Sequence, residues 1–164
     1  MMVGGFQEEQ GTEALRQLAQ WVRTESSDGA KLVSNLENNP ICCVTLDESV
    51  PCLFVAWQSY ATSAQLRFVH ERVLELLKRE QVSKILGDDS SLVVIHIDDQ
   101  AWIRDDWFPR AAAAGLKVAA SKRPYAFFGK RSVANVQSAA PPGVTLRSFD
   151  TLTEARSWLV SARC

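Results

Sequence analysis

The run Asp88-Asp89-Ser90-Ser91 sets two carboxylates beside two hydroxyls. Paired carboxylates can divide acid and base work between them, and a lysine can steady the charge that develops. Lys122 is the base that an enzyme would set beside Asp88 and Asp89, yet nothing in the sequence selects a substrate for that trio. The histidines add little. His70 lies near an apolar helical stripe and His96 stands between Ile95 and Ile97, where packing is the simpler role. His96-x-Asp98-Asp99 has some metal-ligand character but lacks the further ligands a site requires. The patterns GxGxxG, GxxxxGK[ST] and GxSxG, which cradle phosphates or present a nucleophilic serine, do not occur. No catalytic residue, metal or cofactor is therefore expected, and a binding role outranks an enzymatic one.

Aromatic residues supply the other candidates. Trp102 and Trp107 stand on one short segment and could line a pocket for a lipid or small apolar ligand, with core packing as the competing role. The stretch RPYAFFGKR (123–131) mixes bases with aromatics, as nucleic-acid stacking platforms do. No helix-turn-helix, RNA-recognition or zinc-finger spacing accompanies it, so a nucleic-acid partner is not expected. Phe127 and Phe128 are read as core anchors.

The overall balance, 18 bases against 19 acids with 46% apolar and 23% charged residues, is that of an ordinary globular chain. It excludes a disordered tail and a uniformly basic wrapper. Placement is more informative. From Trp107 through Phe149 there is no acid but there are seven bases: Arg110, Lys117, Lys122, Arg123, Lys130, Arg131 and Arg147. Such a segment could meet an anionic headgroup, a phosphate or an acidic partner, or it could neutralise the protein's own acidic helices. Cys42, Cys43 and Cys52 sit in apolar runs without paired CxxC spacing, and Cys164 ends the chain. Cysteine in such runs behaves as a small hydrophobe.

These side chains need a scaffold. Residues 12–24 carry Leu15, Leu18, Ala19 and Val22 at helical spacing and predict an amphipathic helix, followed by a polar connector over Lys31–Pro40. The main domain is expected over 41–164, with residues 1–40 as an appendage. ICCVTL and CLFVAW predict a hairpin; Thr62 or Ser63 caps a helix with Leu66, Val69, Val73, Leu76 and Leu77 on its buried face. VSKILG, LVVIHI, LKVAAS and VTLRSF predict further strands. Asp98-Asp99, the Gly129–Ser138 stretch and the pair Thr151/Glu154 mark helices between and after them. Strands alternating with helices imply an α/β layer fold with a largely parallel sheet. In such sheets ligands gather beyond the carboxyl ends of the strands. Tyr60, the Asp88–Ser91 run, Lys122-Arg123 and Asp150 all fall there.

Several segments in series resemble one family: WQSYATSAQLR (57–67), KILGDDSSL (84–92), DDQAWIRDDWFPRAAAAGLK (98–117), AFFGKRSV (126–133) and RSFDTLTEARSWL (147–159). They are similar to the bacterial STAS/SEC14-like domains, relatives of the anti-sigma-factor antagonists, over roughly 41–162. The most specific part surrounds Trp102, Trp107, Phe108 and Pro109. The resemblance implies a mixed sheet with helices packed on it in the STAS manner, and a regulatory role through a protein partner such as a kinase. Regulatory members carry Asp-Ser-Ser/Thr-Gly, whose residue before glycine is phosphorylated. Asp89-Ser90-Ser91-Leu92 is the nearest match, which makes Ser90 or Ser91 the implied switch, with Leu92 in the place of the glycine. A phosphoserine there would find cations in Lys122 or Arg123 if they face it. The first residues, MMVGGFQEEQGTE, show no basic region leading into an apolar stretch, and no apolar run approaches a membrane span. A soluble, cytoplasmic protein is expected, its oligomeric state left open.

Overall fold

The computed structural model describes the backbone of Val22–Ser27 and Ala30–Asn35 and the whole of residues 40–164. Among the described residues seven strands form one sheet in chain order: β1 Val22–Ser27, β2 Ala30–Asn35, β3 Pro40–Asp47, β4 Cys52–Trp57, β5 Lys84–Asp88, β6 Val118–Lys122 and β7 Thr145–Phe149. The first four pair antiparallel and the last four parallel. The architecture is thus α/β with a largely parallel block, as the alternating pattern predicts. Within 12–24, the residues before Val22 lie outside those described, while Val22 onward belongs to β1. The connector expected over Lys31–Pro40 instead contains most of β2, which pairs with both β1 and β3, so the sheet runs across the boundary expected at Ile41.

Five helices follow: α1 Ser63–Glu80, α2 Ile97–Trp102, α3 Phe108–Ala113, α4 Phe127–Gln137 and α5 Leu152–Ser161, with a π-helical turn, Ile103–Trp107, joining α2 to α3. From β4 to β7 the chain steps one strand in the same direction each time. Crossovers of one hand then leave their helices on one face. Accordingly α1 to α4 share a core with Leu53, Val55 and Trp57 of the sheet, built around Phe68, Val69, Leu77, Ile103, Trp107 and Val133. Among the described residues only α5 covers the other face, where Ala155 and Leu159 meet Cys52, Leu86, Val118 and Ala120. Successive strand residues alternate between these faces.

Local signals explain the boundaries. Thr62 caps α1: its hydroxyl accepts from Gln65 N at 3.3 Å, and Gln65 Oε1 accepts from Thr62 N at 3.0 Å. Gly115 closes α3 at φ 112°, with Gly115 N bonded to Ala112 O and Leu116 N to Ala111 O, the paired bonds of a Schellman turn.

LVVIHI is not a strand. Leu92–His96 runs as irregular chain, with Leu92 and Ile95 buried and Val93, Val94 and Ile97 exposed. Both sides of β5 are already occupied by β4 and β6, so no sheet position is left for it beside them. Its backbone bonds go to helix side chains instead: Ile95 N donates to Ser132 Oγ at 3.2 Å, and Ile95 O accepts from Gln100 Nε2 at 2.6 Å. High β-propensity lost to tertiary context here.

Candidate interaction surface and the cavity beneath it

Among the described residues eight large apolar side chains are exposed, and seven of them follow the carboxyl ends of β4, β5 and β6. They are Tyr60 after β4; Val93, Val94 and Ile97 after β5; and Tyr125, Phe127 and Phe128 after β6. Phe127 is 69% and Phe128 66% exposed, so these are not the core anchors their composition suggests. The reason lies two residues on. Helix α4 buries Gly129, Ser132, Val133 and Val136, the i, i+3, i+4, i+7 stripe. Gly129 sits so close to the loop before α2 that a Cβ would collide with Leu92 O and lie 3.2 Å from Val93 O. Turning that bare face inward sends Phe127 and Phe128 outward, their rings edge-to-face at 5.5 Å. The same contact sets Val93 and Val94 beside the start of α4, a junction also fixed by Tyr125 N donating to Ser90 O at 3.2 Å.

The acid–hydroxyl run lies at this edge. Ser90 is held in a local turn, its N–H and hydroxyl both donating to Asp88 Oδ1. Ser91 is exposed. Asp88 stands opposite Lys122 in the β5–β6 ladder. The Lys122 ammonium donates to Tyr125 Oη at 2.6 Å, and that bond holds its pKa above the ordinary lysine value. Arg123 turns away to Asp150 at 2.7 Å. Asp88 follows Lys84 and Leu86 on the α5 face, whereas Asp89 points beneath α1 to α4. Asp88 and Asp89 are therefore split between two faces, which removes the arrangement that joint acid–base work with Lys122 needs. Among the described residues no three His, Cys, Asp or Glu side chains are grouped as a metal would need.

Asp89 opens onto a cavity of about 130 Å³ between the sheet and helices α1, α3 and α4. Its origin is a run of small side chains: Ile85 pairs with Ala119 and Gly87 with Ser121, so the middle of the sheet is thin under the helices. Burial pushes the Asp89 carboxyl up to about 7; the Ser121 hydroxyl pulls it partly back and the Asp88 charge adds to the rise. Ser121 belongs to a polar cluster: Gln137 Nε2 donates to its Oγ at 3.1 Å and Ser148 Oγ to Gln137 Oε1 at 2.5 Å. Across the cavity, burial takes His70 down to about 4, against the opposing pull of the Leu66 carbonyl and the Glu71 and Asp99 charges.

Of the two tryptophans assigned to a pocket, Trp107 lines this cavity and Trp102 does not. Trp107 Nε1 donates to His70 O at 2.7 Å, while Trp102 lies under the guanidinium of Arg67, 5.0 Å from its ring centre. Arg67 also meets Asp99, a buried carboxylate that accepts from Ser63 Oγ at 2.6 Å and Arg67 Nε at 2.8 Å, tying α2 to α1. Tyr60 shares the carboxyl edge, but none of these hydrogen bonds reaches it.

The seven-base segment does not form one patch. Arg110 pairs with Glu71 and Asp106, and Arg147 lies over the Phe149 and Trp158 rings. Lys117 belongs to the opposite edge of the sheet, Arg123, Lys130 and Arg147 line one groove between α4 and β7, and Lys130 and Arg131 are exposed one turn along α4 from Phe127 and Phe128. Apart from Tyr60, sequence reasoning missed the apolar side chains of the edge, and RPYAFFGKR held the signal: an aromatic pair just before a glycine and two bases. No helix among the described residues is long and apolar enough to cross a membrane. Compared with known proteins, the chain matches no protein-family model and no curated protein sequence.

Proposed function

We propose that this chain is a non-enzymatic regulatory module of STAS type that docks a protein partner through the carboxyl edge of its parallel strands. The observation that carries this reading is the gathering of Val93, Val94, Ile97, Tyr125, Phe127 and Phe128, all exposed, around the Asp88–Ser91 turn. Contiguous exposed apolar surface on a soluble fold marks a contact site, and aromatic side chains rimmed by bases are typical anchors. Lys122, Lys130 and Arg131 supply the rim and favour an acidic partner surface. In this reading Ser91 is the switch position, because Ser90 is engaged by Asp88 while Ser91 faces solvent. A phosphate at Ser91 would add roughly two negative charges inside the docking surface and repel an acidic partner.

The test is affinity capture from lysate of the protein's native cells, followed by titration of the purified partner against three forms. The unmodified protein binds; Phe127→Ser/Phe128→Ser binds at least about tenfold more weakly; Ser91→Asp also weakens binding. Equal affinity for all three forms contradicts the proposal. Sedimentation of the protein alone separates this from self-association: a dimer abolished by the phenylalanine substitutions would assign the surface to a second copy and also contradict it.

A further inference from the structure

The cavity under α1, α3 and α4 is an internal space that the docking surface does not use. At 130 Å³ it matches the scale of an engineered apolar cavity, about 150 Å³, that takes up benzene. Ile85 and Ala119 lie in the middle of a seven-stranded sheet with helices above, where close packing would normally cover them. Both nevertheless keep accessible surface, as do Asp89 and Gln137. The gap is therefore wide enough for a water-sized group to touch all four.

Its chemistry is one-sided. Most of the wall is aliphatic or aromatic, and the polar groups converge at the end where Asp89, Ser121 and Gln137 meet. Ser121 and Gln137 are occupied by each other and by Ser148. Asp89 has the Ser121 hydroxyl beside it but no paired cation among the described residues: Lys122 and Arg123, the nearest bases in sequence, are committed to Tyr125 and Asp150. Its carboxyl folds back over Gly87, with Oδ1 3.5 Å from where a Cβ on that residue would lie. A small, mostly apolar cavity with one acid and, among the described residues, no facing cation is the complement of an apolar molecule with one donor head.

We propose that this cavity binds a small, mainly apolar molecule of about benzyl size that carries one amine or hydroxyl, with the head directed to Asp89 and the body against Val55, Val69, Val133 and Ala119. The site is independent of the docking surface, and its test leaves Phe127 and Phe128 untouched. The apolar body draws its free energy from burial, and the head replaces hydrogen bonds lost on leaving water. The other titratable group on the wall is His70, which stays neutral above its value of about 4. An amine therefore finds no competing cation there once Asp89 is ionised.

The experiment is thermal unfolding of the full chain at pH 8 with four probes: benzylamine, benzyl alcohol, toluene and benzoate. Binding to the folded state raises Tm with a saturable dependence on probe concentration. Benzylamine and benzyl alcohol are expected to do so, toluene less strongly, and benzoate not at all because its carboxylate would meet Asp89. Ala119→Leu fills the space and is expected to abolish every probe-dependent shift. Asp89→Asn, which keeps the volume, should weaken benzylamine at least about tenfold while leaving toluene unchanged. A flat Tm for the unmodified protein with all four probes overturns the proposal. So does an Ala119→Leu protein that folds and still responds, or an Asp89→Asn protein that binds benzylamine as well as before.

Discussion

The two ends of the parallel strands are built from similar residues and put to opposite use. At the amino edge, where helices hand over to strands, Val82, Leu116 and Val144 are buried, and Leu116 is 1% exposed. Backbone bonds seal that edge: Lys117 N and Val118 N both donate to Ser83 O, and Thr145 N to Lys117 O. Three of its turns use left-handed residues, Gln81 at φ 52°, Gly115 at φ 112° and Gly143 at φ 81°, which fold the chain back sharply enough to tuck the next apolar side chain under the helices. Lys84 adds a strut across the α5 face, its ammonium donating to Leu159 O at 2.7 Å and Ala162 O at 2.8 Å. At the carboxyl edge two valines, an isoleucine, two phenylalanines and two tyrosines face outward. Apolar content is similar at the two ends, so exposure and not composition separates a sealed edge from an open one.

That contrast predicts graded responses to substitution. Leu116→Ala should cost about 2–5 kcal/mol in denaturant unfolding, because it empties a closed site, with no loss of partner affinity in the folded fraction. Lys84→Met leaves two carbonyls at the end of α5 without their donor and should cost about 1–3 kcal/mol, read as a lower Tm. Phe127→Ser/Phe128→Ser should change stability by no more than about 0.5 kcal/mol while removing partner binding. A large loss of stability from the phenylalanine pair would erase the distinction between the edges.

Between those effects lies a pH dependence. Asp89 moves from 3.8 to about 7 in the folded protein, so the folded state holds its proton more tightly. The stability it contributes is fully present below pH 4 and is lost as pH rises through 7. His70 moves from 6.5 to about 4, so its contribution is present above pH 6.5 and is lost as pH falls through 4. From about pH 4 to 6.5 the two slopes oppose each other. Asp89→Asn should uncover the histidine, giving a stability that falls by roughly 1 kcal/mol per pH unit on acidification across that window. Unfolding by urea at a series of pH values reads it directly.

Most of the buried face of α1 was legible: Leu66, Val69, Val73, Leu76 and Leu77 repeat at helical spacing and all are buried, with Phe68 and Leu74 buried beside them. So was the β3–β4 hairpin, whose two apolar runs pair from Cys42–Trp57 to Asp47–Cys52. LVVIHI failed because propensity does not count vacant sheet positions, and β5 had none beside it. Phe127 and Phe128 failed because the deciding residue was Gly129, whose missing side chain brings α4 onto the Leu92–Val93 backbone. Hydrophobicity scales rate a glycine as neutral and cannot show that it claims the inner face of a helix. The cavity was equally hidden, since it depends on Gly87, Ala119 and Ser121 meeting in register across two strands separated by about thirty residues. Asp88 and Asp89, by contrast, needed only strand alternation to be separated, and their adjacency in sequence disguised it.

Amide hydrogen exchange of the purified protein with and without its captured partner tests the docking surface most directly. The account predicts slowed exchange confined to residues 90–97 and 124–131, with the 81–83, 115–118 and 141–145 turns unchanged. Protection centred on those amino-edge turns, with the carboxyl-edge loops unaffected, would contradict it.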